Sequence, residues 1–222
     1  MNSFTIRKTV SGSMSLNKKM IKWIFFDVGS TLIDETKAYD HRARDMIKGT
    51  QITFEQFEKM RIALARKGLD GNSAAIDFFG LEKTPWHSED ELPYPEAETV
   101  LKNLFEKGYR LGVIANQNSG LDARLEKWGL RKYFTLLVSS AEIGCAKPDL
   151  EIFKRALAMA NSKADECVMI GDRLDNDVRP AKAIGMKTVW IRNGLARHQS
   201  ASLGDGIADL VINSLIELIS VF

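Results

Sequence analysis

The chain has 222 residues, of which 45% are hydrophobic and 27% are charged, and its formal net charge is +2. That length allows a sizeable buried core, in one domain with an insertion or in two small domains. The composition is typical of a globular protein in water. No apolar run reaches the roughly 18–20 residues that cross a bilayer, so we expect no membrane partner.

The charge is distributed unevenly along the chain. The first 22 residues contain five lysines and arginines and no acid, so the remaining residues carry a formal charge of −3. A mildly acidic folded part argues against binding to nucleic acid, whose phosphates require a basic surface. Residues 1–20 lack the apolar stretch of a secretory signal, and we expect a disordered tail, an expression remnant or a mis-set start.

The chain contains two cysteines, Cys145 and Cys167. Without a secretory signal, two cysteines predict reduced thiols in the cytoplasm rather than a disulfide framework. Their spacing matches no metal site.

The apolar pattern predicts an α/β fold. An apolar strand ends at Asp27, and three helices are predicted after it, at about 35–48, 54–67 and 73–79. The proline-rich residues 84–95 read as an irregular linker. Strands are then predicted at 109–115, 134–139, 167–170, 187–191 and 209–212, and helices at 96–106, 121–128, 149–160, 175–184 and 215–219. Apolar strands separated by helices indicate a parallel sheet covered on both faces.

Four short motifs follow the ends of predicted strands or open the next helix. They are Asp27-Val-Gly-Ser-Thr31, Leu111-Gly-Val-Ile-Ala-Asn116, Lys147-Pro-Asp149 and Gly171-Asp-Arg-Leu-Asp-Asn-Asp177. In this order they resemble the motifs of the haloacid dehalogenase-like (HAD) hydrolase superfamily, the first of which is Asp-x-Asp-x-Thr. The resemblance extends over about residues 22–191 and implies a phosphatase-type branch of that superfamily.

The resemblance implies a Rossmann-like parallel sheet core with a small all-helical cap inserted after the first strand. The expected boundaries are 21–34 and 94–222 for the core, and 35–93 for the cap and return linker. A cap of this kind closes over the site, excludes water and selects the substrate.

The motif residues suit a site for phosphate and a metal ion. An attacking carboxylate and a phosphate dianion repel each other, so a hard cation such as Mg²⁺, which prefers oxygen ligands, has to bridge them. The resemblance implies that Asp27, Gly29 (through its backbone), Asp172 and Asp177 hold the Mg²⁺. It also implies that Asp27 is the nucleophile and that Lys147 neutralises the phosphoryl oxygens. Thr31, Asn116 and Lys147 would bind the phosphoryl group.

Two positions depart from the family pattern. Gly29 stands where the second Asp would transfer a proton, and Ala115 stands where a Ser or Thr hydroxyl would bind the phosphoryl group. General acid–base catalysis typically contributes about 10²–10⁴-fold, so hydrolysis of an alkyl phosphate should be slow without it. Asp34, Glu35 or a residue of the cap is a candidate replacement acid.

Three interpretations stay open. Either another group replaces the missing acid, or the leaving group needs no proton, as in an acyl or aryl phosphate. A phosphonate-cleaving relative would belong to the second case and would need a cap lysine, such as Lys59 or Lys67, to form an imine. In the third, the protein binds phosphate and Mg²⁺ as a catalytically weak regulatory protein.

The preferred interpretation is a Mg²⁺-dependent hydrolase, a phosphatase for a phosphoric monoester or an acyl phosphate. Its substrate would be a small phosphorylated metabolite, cleaved through an aspartyl-phosphate on Asp27. Turnover that depends on Asp27 would distinguish this enzyme from a regulatory protein.

Overall fold

The computed structural model describes residues 20–200, 202 and 206–222. The expected N-terminal tail therefore lies outside the described residues except for Met20. In the part of the chain that is described, no helix has the length and apolar character required to cross a membrane.

A six-stranded parallel sheet forms the centre of the molecule. Its strands are β1 (Trp23–Phe26), β4 (Arg110–Ala115), β5 (Phe134–Ser139), β6 (Cys167–Gly171), β7 (Lys187–Ile191) and β8 (Leu210–Ile212). Two further strands, β2 (Ile33–Asp34) and β3 (Leu92–Pro93), form a separate pair. The sheet has the order β5-β4-β1-β6-β7-β8, and all its pairs are parallel. The predicted α/β fold with a Rossmann-like sheet is confirmed.

The α-helices lie between these strands along the chain. They are α1 (Thr36–Met46), α2 (Phe54–Arg66), α3 (Gly71–Phe79), α4 (Ala97–Glu106), α5 (Leu121–Lys127), α6 (Ser140–Ile143), α7 (Leu150–Met159), α8 (Arg179–Ala183) and α9 (Leu218–Val221). Apolar clusters involving both sets of alternating strand side chains cover the sheet, as expected for a parallel sheet between helices.

Strand β1 is the structural support of the site. Its four residues are buried, and it pairs with β4 on one side and β6 on the other. The ring of Phe25 lies over Gly112 of β4, its partner in register, so closely that a Cβ added to Gly112 would lie 2.5 Å from the ring. Glycine at this position therefore allows β1 and β4 to pair with each other while the phenyl ring of Phe25 packs between the sheet and the helices.

Helices α1, α2 and α3 pack around an apolar cluster of their own, with Phe57 fully buried at its centre. Helix α2 begins with a capping box: the Thr53 hydroxyl accepts from the Gln56 amide at 3.2 Å, and the Gln56 side chain accepts from the Thr53 amide at 2.8 Å. These helices lie between β2 and β3 in the chain. The division into a core and a cap of residues 35–93 stays a prediction.

One local expectation was wrong. Within the predicted irregular linker, Leu92–Pro93 pairs antiparallel with Ile33–Asp34 and forms a two-residue ribbon at the base of α1. Such a ribbon is too short for an alternating pattern to be recognised in the sequence. The predicted helix at 175–184 is present: it begins as a π-helical turn, Leu174–Val178, and continues as α8.

We predict that Gly112→Ala lowers the free energy of unfolding by about 1–3 kcal/mol, because the added methyl group overpacks against Phe25. Urea unfolding of a double-mutant cycle with Phe25→Leu measures the coupling. The cost of Gly112→Ala should shrink in the Phe25→Leu background. An equal cost in both backgrounds would contradict the packing account.

Candidate active site

Three acidic side chains converge at the carboxyl ends of β1 and β6. Asp27 follows β1, Asp172 follows β6, and Asp177 lies in the π-helical turn beyond it. One carboxylate oxygen of each lies within 4.8 Å of those of the other two. The parallel sheet thus brings together two motifs that are about 145 residues apart in the chain, because neighbouring parallel strands end at the same edge.

Lys147 is paired with two of these carboxylates. Its Nζ lies 2.6 Å from Asp27 Oδ1 and 2.6 Å from Asp177 Oδ1, and the lysine side chain is fully buried. Burial alone would lower the pKa of the ammonium, but the charges of Asp177 and Asp27 outweigh it and raise the pKa above its usual value. Lys147 is therefore a fixed positive charge beside Asp27.

The amide of Asn116 holds the backbone of Lys147. Asn116 Nδ2 donates to the Lys147 carbonyl at 2.8 Å, and the Lys147 amide donates to Asn116 Oδ1 at 2.7 Å. One hydrogen of the Asn116 amide is left for another acceptor. The prediction that Asn116 binds the phosphoryl group stays a prediction, and its contact with Lys147 adds a role in positioning that lysine.

A glycine allows Asp177 to reach the site. A Cβ on Gly171 would lie 2.4 Å from the Asp177 carboxyl carbon, so the side chain packs directly on that backbone. The second oxygen of Asp177 accepts from the Arg173 amide at 3.0 Å. Burial raises the pKa values of Asp177 and Asp172 above their usual range, and neighbouring carboxylates add to the rise. Carboxylate oxygens grouped in this way are the ligands that a hard divalent cation prefers, and a bound cation would offset their mutual repulsion.

Thr31 and Ala115 are both buried beside this cluster. The Thr31 hydroxyl has no hydrogen-bond partner among the described residues. A buried hydroxyl without a partner is costly, so a polar ligand at this site would remove that cost. Ala115 supplies no side-chain hydrogen bond, as the sequence had indicated.

The carboxyl group of Glu35 occupies the space beside Gly29. A Cβ added to Gly29 would lie 2.5 Å from Glu35 Oε1 and 2.6 Å from Oε2. Ser30 has a positive φ of 53°, and its hydroxyl donates to Glu35 Oε2 at 3.3 Å. Burial raises the pKa of the Glu35 carboxyl from 4.5 to about 8, and the charges of Asp27 and Glu91 add to the rise.

Asp34, the other nearby candidate acid, has a structural contact. Its Oδ1 accepts from the Thr36 amide at 2.9 Å, at the first residue of α1. A side chain that accepts from a free amide at a helix start stabilises the helix. Asp34 is also held in the ribbon opposite Leu92.

A cavity of about 490 Å³ lies between α1–α3 and the carboxyl edge of the sheet. Glu35 and Tyr39 line it on one side and Asn116 on the other. Three cationic side chains also line it, Arg42, Lys83 and Arg124. Sequence reasoning missed Lys83 and Arg124, which lie outside the four motifs and have no distinguishing pattern.

The sequence profile of the haloacid dehalogenase-like hydrolases matches residues 24–191. The matched range includes the four motifs and both chain segments that meet at the site. The chain therefore belongs to the haloacid dehalogenase-like hydrolases, and the resemblance predicted from the motifs is confirmed.

Relatives that span nearly the whole chain are phosphatases. The glyceraldehyde 3-phosphate phosphatase of Methanocaldococcus jannaschii is 32% identical over 91% of this chain and 97% of its own length. The pyrimidine 5′-nucleotidase YjjG of Escherichia coli is 30% identical over 88% of this chain and 95% of its own. A HAD phosphatase from Thermococcus onnurineus has a crystal structure that matches 90% of this chain and 97% of its own, with a TM-score of 0.63 and 25% identity. The expectation of a phosphatase-type hydrolase is confirmed.

We predict that Glu35 makes the stability of the metal-free protein depend on pH. Because the folded state raises this pKa from 4.5 to about 8, it binds the proton more tightly than the unfolded state does. The contribution is fully present below about pH 4.5 and is lost as pH rises through about 8. Each pKa unit corresponds to about 1.4 kcal/mol, so the loss amounts to a few kcal/mol.

Urea unfolding between pH 5 and pH 9 in the presence of a chelator measures this dependence. In Glu35→Gln the decline over that range should be shallower than in the wild type. Asp34→Asn is the matched control, since it removes a neighbouring charge and keeps the helix-start acceptor, and its decline should follow the wild type. Equal declines in wild type and Glu35→Gln would contradict the assignment.

Proposed function

We propose that the protein is a Mg²⁺-dependent phosphatase that hydrolyses a small phosphorylated metabolite through an aspartyl-phosphate on Asp27. The observation that carries this proposal is the Lys147 ammonium, fixed 2.6 Å from Asp27 in a cluster of three carboxylates. Asp27 is the nucleophile because it is the carboxylate of the three that is both paired with Lys147 and partly exposed: its side chain is 14% exposed and that of Asp177 is 1% exposed, whereas Asp172 has no ion pair with Lys147. A substrate can reach the first carboxylate and not the second.

The metal ligands are Asp27, Asp172, Asp177 and the backbone of Gly29. The three carboxylates fit Mg²⁺ by their oxygen chemistry and their spacing within 4.8 Å. When bound, Mg²⁺ supplies positive charge that draws the phosphoryl group toward the carboxylates and offsets their mutual repulsion.

The chain's own residues carry the remaining work. The Asp27 carboxylate attacks phosphorus, and the bond between phosphorus and the leaving oxygen breaks. Lys147, 2.6 Å from Asp27, neutralises charge on the phosphoryl oxygens. Thr31 and the free amide hydrogen of Asn116 donate to those oxygens. Water then attacks phosphorus in the aspartyl-phosphate, which releases phosphate and restores Asp27.

The substrate class follows from the relatives and the cavity. Glyceraldehyde 3-phosphate and pyrimidine 5′-nucleotides, named for the two relatives, are both primary alkyl phosphate esters. A cavity of about 490 Å³ lined by Arg42, Lys83 and Arg124 has room and positive charge for such an anion. We propose an alkyl phosphate monoester as the substrate. An alkoxide is a poor leaving group, so such a substrate gains most from a proton donor in place of the aspartate missing at Gly29.

The two other interpretations have less support. The two candidate imine-forming residues, Lys59 and Lys67, are exposed, and neither lines the cavity. A regulatory phosphate-binding protein needs no carboxylate that is both exposed to substrate and paired with a buried lysine. These alternatives are distinguished from a phosphatase by turnover.

We predict Mg²⁺-dependent release of phosphate from an aryl phosphate, an acyl phosphate and primary alkyl phosphates such as glyceraldehyde 3-phosphate. Asp27→Asn should lower the release by more than about 10³-fold, because it removes the nucleophile. A colorimetric phosphate assay with and without a chelator measures both effects.

Asp175→Asn is the matched control for this experiment. Asp175 lies in the same π-helical turn as Asp177, has a side chain that is 57% exposed and pairs with Arg173. Its neutralisation should leave turnover within a few-fold of the wild type. If Asp27→Asn retains the turnover of the wild type on every substrate, the phosphatase proposal is wrong.

A further inference from the structure

The space that the second aspartate of the family motif would occupy is filled in this protein. Gly29 contributes no side chain there, and both oxygens of Glu35 lie 2.5–2.6 Å from where a Cβ of residue 29 would be. An aspartate at 29 would therefore have to displace the Glu35 carboxyl group from its observed position. Glu35, six positions along the chain, places a carboxyl group next to the backbone of residue 29.

We propose that Glu35 is a catalytic residue that donates a proton to the leaving oxygen and then accepts one from the attacking water. The proposal rests on the phosphatase function proposed above. In this proposal Glu35, the residue immediately before α1, takes the acid–base role that the first motif has no side chain to fill.

The position of Glu35 suits contact with a substrate. It borders the cavity together with Asn116 and Arg124, and the Asp27 carboxylate is close enough to perturb it electrostatically. Its one side-chain hydrogen bond among the described residues is the 3.3 Å contact from Ser30. A weak contact to a hydroxyl, which can both donate and accept, leaves the carboxyl group able to exchange a proton with a ligand.

The other acids near the cavity have fixed partners. Asp34 accepts from the Thr36 amide at 2.9 Å. Glu91 accepts from the Trp86 ring at 2.7 Å. Asp90 is paired with Lys37 at 2.7 Å and with His41 at 2.9 Å. Glu35 is the acid that combines a place beside Gly29, a border on the cavity and a weak existing contact.

The two half-reactions balance with Glu35 as the proton carrier. In the first, the Asp27 carboxylate forms a bond to phosphorus, the ester P–O bond breaks, and the Glu35 proton passes to the leaving alkoxide to give the alcohol. In the second, water bonds to phosphorus, the bond to Asp27 breaks, and the water proton passes to the Glu35 carboxylate. Enzyme, alcohol and inorganic phosphate result, and Glu35 carries its proton again.

The test compares leaving groups in Glu35→Gln. The value of kcat/KM reports steps up to the loss of the leaving group, so it isolates the first proton transfer. For a primary alkyl phosphate it should fall by about 10²–10⁴-fold. For 4-nitrophenyl phosphate, whose leaving group needs no proton, it should stay within a few-fold of the wild type.

A second readout follows the second proton transfer. With 4-nitrophenyl phosphate, Glu35→Gln should show a stoichiometric burst of nitrophenol followed by slow turnover, because the aspartyl-phosphate forms and then waits for water. Stopped-flow absorbance measures the burst. If Glu35 had only a structural role, Glu35→Gln would lower kcat/KM for both substrates by a similar factor and would give no burst.

Two further variants keep the result interpretable. Asp34→Asn is the matched control and should retain the wild-type ratio of alkyl to aryl kcat/KM. Gly29→Asp combined with Glu35→Ala returns a carboxyl group to the same space and should recover alkyl-ester kcat/KM above that of Glu35→Ala alone. Circular dichroism checks that the double variant is folded. If the folded double variant does not recover alkyl-ester kcat/KM, a carboxyl group at residue 29 does not substitute for that of Glu35.

The outcomes separate the two proposals. If wild-type protein cleaves 4-nitrophenyl phosphate and Asp27→Asn does not, the phosphatase proposal holds whatever Glu35 does. An equal loss of kcat/KM for alkyl and aryl substrates in Glu35→Gln then overturns the role of Glu35 alone.

Discussion

The buried ammonium of Lys147 lies between Asp27 and Asp177, 2.6 Å from an oxygen of each. Without it, three carboxylates would share a dry pocket at the sheet edge, and their repulsion would favour protonation or local opening. Much of the surrounding structure serves this contact. Asn116 holds the lysine backbone with two hydrogen bonds, and Gly171 gives Asp177 room to approach. The same positive charge lies beside Asp27, the carboxylate that we propose as the nucleophile.

A second constraint acts at Gly29. The space that a side chain would fill there is occupied by the Glu35 carboxyl group, and Ser30, with a positive φ, directs its hydroxyl toward that group. In the role that we propose for it, Glu35 supplies the carboxyl group that the first motif lacks. Three carboxylates that suit a metal ion would then lie beside one further acid, and hydrolysis of an alkyl phosphate would use both.

Much of this could be predicted from the sequence. The apolar strands and the four motifs were sufficient for the fold and for grouping Asp27, Lys147 and Asp172 at one edge, because parallel strands end together. The sequence does not distinguish Asp34 from Glu35 as the replacement acid. The two residues are adjacent, and the directions of their side chains depend on the backbone at the start of α1. The ribbon of Ile33–Asp34 with Leu92–Pro93 was missed because two residues are too few to show an alternating pattern of apolar and polar side chains. Lys83 and Arg124 reach the cavity through tertiary packing that no local pattern records.

The central claim is that Asp27 forms a covalent bond to phosphorus. Acid-quenching the wild-type enzyme during turnover of 4-nitrophenyl phosphate in Mg²⁺, followed by peptide mass spectrometry, tests it directly. The account predicts the added mass of one phosphoryl group on the peptide containing Asp27, and its disappearance after treatment with hydroxylamine, which cleaves acyl phosphates. Turnover without any phosphorylated Asp27, or a phosphoryl group on another residue, would contradict it.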